Sequence, residues 1–336
     1  MTRRKDGIWQ EVLTVNGRKK YFYGKTKSAV LQKIREFEEE RSRGVLFEKV
    51  ADEWWEVHEP ELAYNTTKGY KPAMKRAVEA FGNTPVDDIT PQQIATEISA
   101  FSHNRADKTV RTQLMVYNLI FKYAVEKGYV RANPARDLSV PKNLKKQKRT
   151  SPSPEDIKRV KESTDCYFGM FAFWALYTGL RKGELLALEW KDVDIKNRTI
   201  TVNKSLYHES NCPKVKLPKT QTSIASIPIL DVLLKKIKKI KPSSGLVFPD
   251  DDGGYLTEMR FQKKWRTYCE QSGVTASPHQ FRHAYATMLF EAGIPPEEAQ
   301  ALLRHAQLST TMDIYTDLRE AKLKKIHEKV YAIDIE

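Results

Sequence analysis

Thr178-Gly179-Leu180-Arg181-Lys182-Gly183-Glu184-Leu185 joins two helical patterns, and its reading decides the fold of the last half of the chain. Gly179 ends an apolar helix, since glycine takes the left-handed conformation that closes helices without steric cost. Arg181 opens the next helix, and Glu184, three residues on, shares its face and can hold its guanidinium. In isolation such a pair is a common surface feature of small energetic weight. The apolar run leading into it, residues 168–180, is interrupted by Gly169 and Gly179. It is shorter than the about 18–20 residues that a bilayer span requires, so no membrane association is expected.

Three further places downstream combine polar groups in ways that packing alone explains poorly. His279-Gln280-Phe281-Arg282-His283 opens a helix after Ser277-Pro278 and puts His279 and Arg282 on one face, Phe281 and Tyr285 on another. Leu302-Leu303-Arg304-His305 closes a helix that begins at Pro295-Pro296. In Ser309-Thr310-Thr311-Met312-Asp313-Ile314-Tyr315-Thr316 a hydroxyl residue can cap a short helix that carries Tyr315.

Upstream, residues 8–15 and 20–23 are strand-like and meet at Asn16-Gly17, a hairpin-turn dipeptide. Thr26 or Ser28 then caps a helix with Val30, Leu31, Ile34 and Phe37 at helical spacing. From about 45 to 140 the pattern is helical throughout, including Phe47, Val50, Trp54 and Val57, with Thr90-Pro91 as a helix start. A stretch without apolar periodicity follows, rich in lysine and ending in Ser151-Pro152-Ser153-Pro154, and reads as a linker. Beyond it come helices over 155–164, 167–178 and 182–190, short strands at 199–202 and 224–229, then helices over 231–241 and from 257 onward. The fold class is a multidomain α+β chain. A β-hairpin-plus-helix module spans 1–43, an all-α domain 44–141, a basic linker 142–152, and a mixed, mainly helical domain with a small antiparallel sheet 153–336.

The 336 residues carry 57 Lys+Arg against 43 Asp+Glu, a formal net charge of +14. The first 43 residues hold +6 of it, the densest share. Such an excess favours a polyanionic partner, because cations that neutralise phosphates release condensed counterions. Arg18, Lys19 and Lys20 at the hairpin turn, and Lys145, Lys146, Lys148 and Arg149 in the linker, are the candidate DNA contacts. Cys166, Cys212 and Cys269 form neither a disulfide framework nor a CxxC pair, and no signal peptide is evident, so a reducing cytoplasm is expected. No glycine-rich phosphate loop occurs. Asp192 with Asp194, and Asp250-Asp251-Asp252, lack the further carboxylates of a two-metal site, so neither metal nor cofactor is expected.

Taken in order, Arg181 with Glu184, His279-x-x-Arg282, Leu303-Arg304-His305 and Tyr315 closely resemble the motifs of tyrosine recombinases, the integrases of phages and conjugative transposons. The resemblance runs over essentially the whole chain. It implies an arm-binding module, a core-binding helical domain and a catalytic domain that cuts DNA through a 3′-phosphotyrosyl link. Arg181, Lys219, His279, Arg282, His305 and Tyr315 would be catalytic, with Tyr315 the nucleophile and Glu184 supporting. The hairpin lysine is chosen by the pattern Pro218-Lys219-Thr220-Gln221-Thr222-Ser223, with Lys216 the runner-up. Two positions depart from the family's habit: Arg304 stands where glycine is common and reads as an exposed helix-end arginine, and Ile224-Ala225-Ser226 lacks an arginine often found before the last strand.

The residue types suit the reaction. Two guanidinium groups can hold the non-bridging oxygens of a phosphodiester, and a histidine can add a third donor. A phenol with pKa near about 10 needs help to ionise, from His279 as the resemblance implies. The lysine would protonate the departing 5′ oxygen. The resemblance also implies double-stranded core and arm attachment sites as partners, a tetramer of otherwise monomeric protein in synapsis, and a place at the nucleoid of a bacterial cytoplasm. An accessory bending or excision factor, and a C-terminal tail that docks on a neighbouring protomer, belong to the same picture. A type IB topoisomerase and a non-catalytic DNA-binding regulator are the rival readings.

Overall fold

The computed structural model describes residues 1–15, 18–42, 44–145, 151–217, 224–240 and 244–331. Asn16-Gly17, Lys146, Lys148, Arg149 and Lys219 lie outside the described residues. The chain divides into two compact units, Met1–Lys148 and Arg149–Glu336.

In the first unit β1 (Thr2–Arg3), β2 (Trp9–Val15) and β3 (Arg18–Gly24) form an antiparallel sheet, backed by α1 (Lys27–Ser42). Phe22 packs with Val30 and Ile34, and Thr26 caps the helix by accepting from the Ala29 N–H at 3.1 Å. The expected hairpin is therefore a three-stranded sheet; β1 has two residues, too few to show alternation. Four helices follow: α2 (Phe47–His58), α3 (Tyr64–Phe81), α4 (Pro91–Ser102) and α5 (Asp107–Glu126). Their apolar stripes close on Phe47, Trp54, Ile94, Tyr117 and Phe121. Thr90 and Gln93 form a capping box at the start of α4, with the Gln93 N–H donating to Thr90 Oγ1 at 3.3 Å. Leu31 and Val57, both placed in apolar stripes by spacing, are 47% and 54% exposed, because each lies at the edge of its stripe.

The second unit starts at α6 (Pro154–Glu162), where Ser153 Oγ accepts from the Asp156 N–H at 3.0 Å. Next is α7 (Gly169–Thr178), apolar on every side and buried on every side except at Met170. Burying each large side chain such as Phe171 or Trp174 contributes about 1.5–3 kcal/mol, so α7 is the spine of this core. Then come α8 (Lys182–Leu186), β4 (Val193–Asp194), β5 (Thr199–Val202), a hairpin of β6 (Ser205–Glu209) and β7 (Cys212–Lys216), and β8 (Ala225–Pro228). Strands β4, β5 and β8 pair antiparallel, with Ile200 opposite Val193 on one side and Ile227 on the other. The unit ends with α9 (Asp231–Ile237), α10 (Glu258–Ser272), α11 (Pro278–Glu291), α12 (Pro296–Leu303) and α13 (Leu308–Tyr331). The protein is thus mainly helical with small antiparallel sheets. The helix carrying Tyr315 is long rather than short, and the pattern expected over 182–190 breaks into α8 and a 3-10 turn at Trp190–Asp192.

Among the described residues no helix is long and apolar enough to cross a membrane.

Candidate active site

Two glycines shape residues 178–185. Gly179 ends α7 in the left-handed region, φ 61°, and a Cβ there would lie 2.4 Å from the Tyr285 ring. Gly183 lets β6 pass over α8: a Cβ would lie 2.2 Å from the Leu206 carbonyl oxygen. Between them Arg181 is the N-cap of α8, its backbone N–H donating to Glu184 Oε2 at 2.9 Å and its Nη1 to Glu184 Oε1 at 2.8 Å. Glu184 is buried. Burial alone would raise its pKa, but the guanidinium groups of Arg304 and Arg181 outweigh that and hold the carboxyl below its usual range.

Arg282, in α11, is 4% exposed. Its Nη1 donates to the Gly179 carbonyl at 2.7 Å and its Nη2 to the Leu303 carbonyl. Burial, then the cations of Arg181 and Arg304, pull its pKa down to about 9, so it stays charged at neutral pH. Arg181 Nη2 reaches the Arg304 carbonyl at 2.9 Å. The turn after α12 therefore anchors both arginines, and it delivers His305 beside them. His305 Nδ1 bonds Thr311 Oγ1 at 2.8 Å. Burial, followed by Arg282, Arg181, His283 and Arg304, lowers the His305 pKa to about 4, so the imidazole is neutral at pH 7. That bond engages Nδ1 and leaves Nε2 as the ring nitrogen available to a ligand.

Arg181, Glu184, Arg304 and His305 line a cavity of about 940 Å³ whose far wall includes Lys204 and Lys216. Lys204 is ion-paired to Glu189 and Lys214 to Glu209, whereas Lys216, at the end of β7, has no carboxylate partner among the described residues. The β6–β7 hairpin is braced by His208, whose Nδ1 lies 3.0 Å from Glu258 and whose Nε2 lies 2.8 Å from the Leu256 carbonyl.

Other predicted residues lie elsewhere. His279 is on the exposed first turn of α11, its ring 6.0 Å from that of His283. Tyr315 is 7% exposed, edge-on to Phe290, and its hydroxyl donates to the Ile294 carbonyl at 3.1 Å. Burial pushes its pKa up. Lys19 is exposed and shares a sheet face with Tyr21 and Tyr23, which stack at 6.4 Å. Lys20 is exposed as well, on the opposite face of β3, with its ammonium 5.8 Å from the Phe22 ring. Lys145 is exposed, its carbonyl accepting from the Asp107 N–H at 3.2 Å.

Two residues escaped the sequence reading. Arg304 is not an exposed helix-end side chain: it is 11% exposed and donates from Nη2 to Glu184 Oε2 at 2.8 Å. Thr311 is not a cap but the partner of His305, fully buried. Arg304 carries no local signal, since its carboxylate partner lies 120 residues away, and the six-residue step from His305 to Thr311 spans the turn into α13, which helical spacing does not announce. The aspartates are spent internally, Asp192 on Asn203 and Lys204, Asp250 on Arg260. Among the described residues no cluster of three or more metal-ligating side chains occurs.

Residues 154–322 match the phage integrase family and residues 47–140 the phage integrase central domain. A tyrosine recombinase XerC-like protein of Caldanaerobacter subterraneus is 29% identical over 249 residues, 64% of each chain. The present chain thus spans just under two thirds of that relative's length. The ICEBs1 integrase of Bacillus subtilis is 27% identical over 319 residues, 88% of this chain and 86% of its own. In fold, the chain is similar to the Tn1549 transposon integrase solved with transposon right end DNA, TM-score 0.69 at 20% identity, over 84% of this chain and all of the other. A lambda integrase tetramer bound to a Holliday junction aligns with TM-score 0.61 at 17% identity, over 93% of each chain.

Proposed function

We propose that this chain, which belongs to the phage integrase family, is a site-specific DNA recombinase that breaks and rejoins strands through a 3′-phosphotyrosyl link. The observation that carries the proposal is the cluster of two anchored guanidinium groups, Arg181 on the cavity wall and Arg282 buried near it, with a neutral His305 that also lines the cavity. Such a cationic cluster fits the spread negative charge of a phosphodiester in attack.

Tyr315 Oη attacks phosphorus, the bond from phosphorus to the 5′ oxygen breaks, and the 5′ hydroxyl leaves. His279 helps to accept the phenolic proton; a lysine, Lys219 by pattern or Lys216 by its place in the cavity wall, protonates the leaving oxygen. Glu184 holds Arg181. For attack the Tyr315 hydroxyl must give up the Ile294 carbonyl. A 5′ hydroxyl from another duplex then attacks the phosphotyrosine, releasing Tyr315 and resealing the strand without ATP.

The partners in this reading are double-stranded core and arm attachment sites, bound by the division 1–43, 44–141, 142–152 and 153–336, together with an accessory bending or excision factor. The first module contacts DNA through Arg18, Lys19 and Lys20, the linker through Lys145, Lys146, Lys148 and Arg149. Four protomers assemble, and the exposed Leu323 and Ile326 of α13 dock on a neighbour. The compartment is the bacterial cytoplasm. Incubation with a nicked duplex carrying the inverted repeats at the junction of the encoding element is the test. An SDS-resistant protein–DNA adduct is expected from the intact protein and none from Tyr315→Phe; no adduct from the former, or one from the latter, refutes the function.

A further inference from the structure

Three consecutive carbonyls at the end of α12 accept from guanidinium groups. Leu302 takes Arg304 Nη1 at 2.8 Å, Leu303 takes Arg282 Nη2, and Arg304 takes Arg181 Nη2 at 2.9 Å. In a continued helix these oxygens would point along one axis into the next turn. The left-handed residue at Arg304, φ 54° and ψ 43°, splays them. For a residue with a Cβ that conformation costs about 1–2 kcal/mol. The Arg304 Nε is also shut off from solvent with no hydrogen-bond partner among the described residues, a further cost. A surface arginine would escape that second cost by swinging into water. This one instead lies folded over Glu184, 11% exposed.

We propose that Arg304 is a positioning residue for Arg181 and Arg282, acting by dividing the Glu184 carboxylate and by presenting the Leu303 and Arg304 carbonyls. A carboxylate and a guanidinium prefer a two-bond fork. Here Glu184 Oε1 takes Arg181 Nη1, while Oε2 is occupied by the Arg181 backbone N–H and Arg304 Nη2. Arg181 therefore cannot close a fork on Glu184; one bond to the carboxylate and one to the Arg304 carbonyl leave its other N–H groups for a ligand. Arg304 also balances the carboxylate, so that the charge of Arg181 is not cancelled. Without the Arg304 side chain, Arg181 would settle onto Glu184 and withdraw from the cavity. The proposal rests on the recombinase reading, which is what makes Arg181 and Arg282 phosphate ligands.

Arg304→Gly removes the side chain yet keeps the left-handed turn, and Arg304→Lys keeps the charge without the fork. Each is compared with the parent for single-turnover adduct formation on the nicked duplex, for thermal melting, and, in a Tyr315→Phe background, for DNA affinity. Arg304→Gly should slow adduct formation at least about tenfold while affinity stays within about twofold, a loss confined to the chemical step. Arg304→Lys should fall between, at least about threefold slow, because an ammonium is a point donor. A folded Arg304→Gly that cleaves at the parental rate overturns the proposal, as does an affinity loss that accounts for the whole defect. If Arg304→Gly does not fold, a folded Arg304→Lys at the parental rate overturns it. No adduct from the parent would instead defeat the recombinase reading, whereas equal adduct from parent and variants defeats only the role of Arg304.

Discussion

Replacing Thr311 by valine removes one oxygen and little volume, and the structure sets what this should do. Thr311 Oγ1 lies 2.8 Å from His305 Nδ1, Thr311 is fully buried, and it sits four residues ahead of Tyr315 on α13. In Thr311→Val the ring nitrogen stays buried with its partner gone, which costs about 1–3 kcal/mol. The same bond fixes which nitrogen of a neutral His305 carries the proton. If the full cost reappears in the transition state, cleavage slows by about 5- to 150-fold. Single-turnover adduct formation on the nicked duplex at pH 7 measures it, with Thr311→Ser as the control that returns the hydroxyl. A Thr311→Val protein that cleaves within about twofold of the parent would refute the reasoning, and so would a Thr311→Ser as slow as Thr311→Val.

Two further outcomes follow from the same geometry. The His305 pKa is lowered from 6.5 to about 4 in the folded protein, so protonation favours the unfolded chain. The stability present above pH 6.5 should fall as pH drops toward about 4, read as melting temperature against pH, and His305→Asn should flatten that part of the curve. Gly179→Ala combines a left-handed conformation with a Cβ 2.4 Å from the Tyr285 ring, and should destabilise by about 2–5 kcal/mol. Chemical denaturation reads the change, and a loss under about 1 kcal/mol would mean that the backbone yields there.

Much of this was legible in the chain itself. Helix starts at Thr90, Ser153 and Thr257 carry their caps within three residues, so local chemistry announces them. Strands β5 and β8 and the apolar α7 follow from composition alone, and the pairing of Arg181 with Glu184 is a contact inside one helical turn. Lys20 shows the limit: alternation puts it on the other face of β3 from Lys19, but only the structure shows that it stays exposed there beside the Phe22 ring. The resemblance implied a hairpin between Arg181 and His279, but the strand pattern did not locate β6 and β7, whose bracing contacts, such as Glu258 for His208, come from another element.

The sequence by itself determined the order of the functional groups, the caps and stripes of the helices, and the membership of the family. Only the tertiary structure decided that Arg304 folds inward, that Thr311 holds His305, and that the Tyr315 hydroxyl rests on Ile294. Periodicity reports which face of an element is apolar. The protonation and aim of a buried polar group depend on partners that packing brings from up to about 120 residues away, as with Arg304 and Glu184.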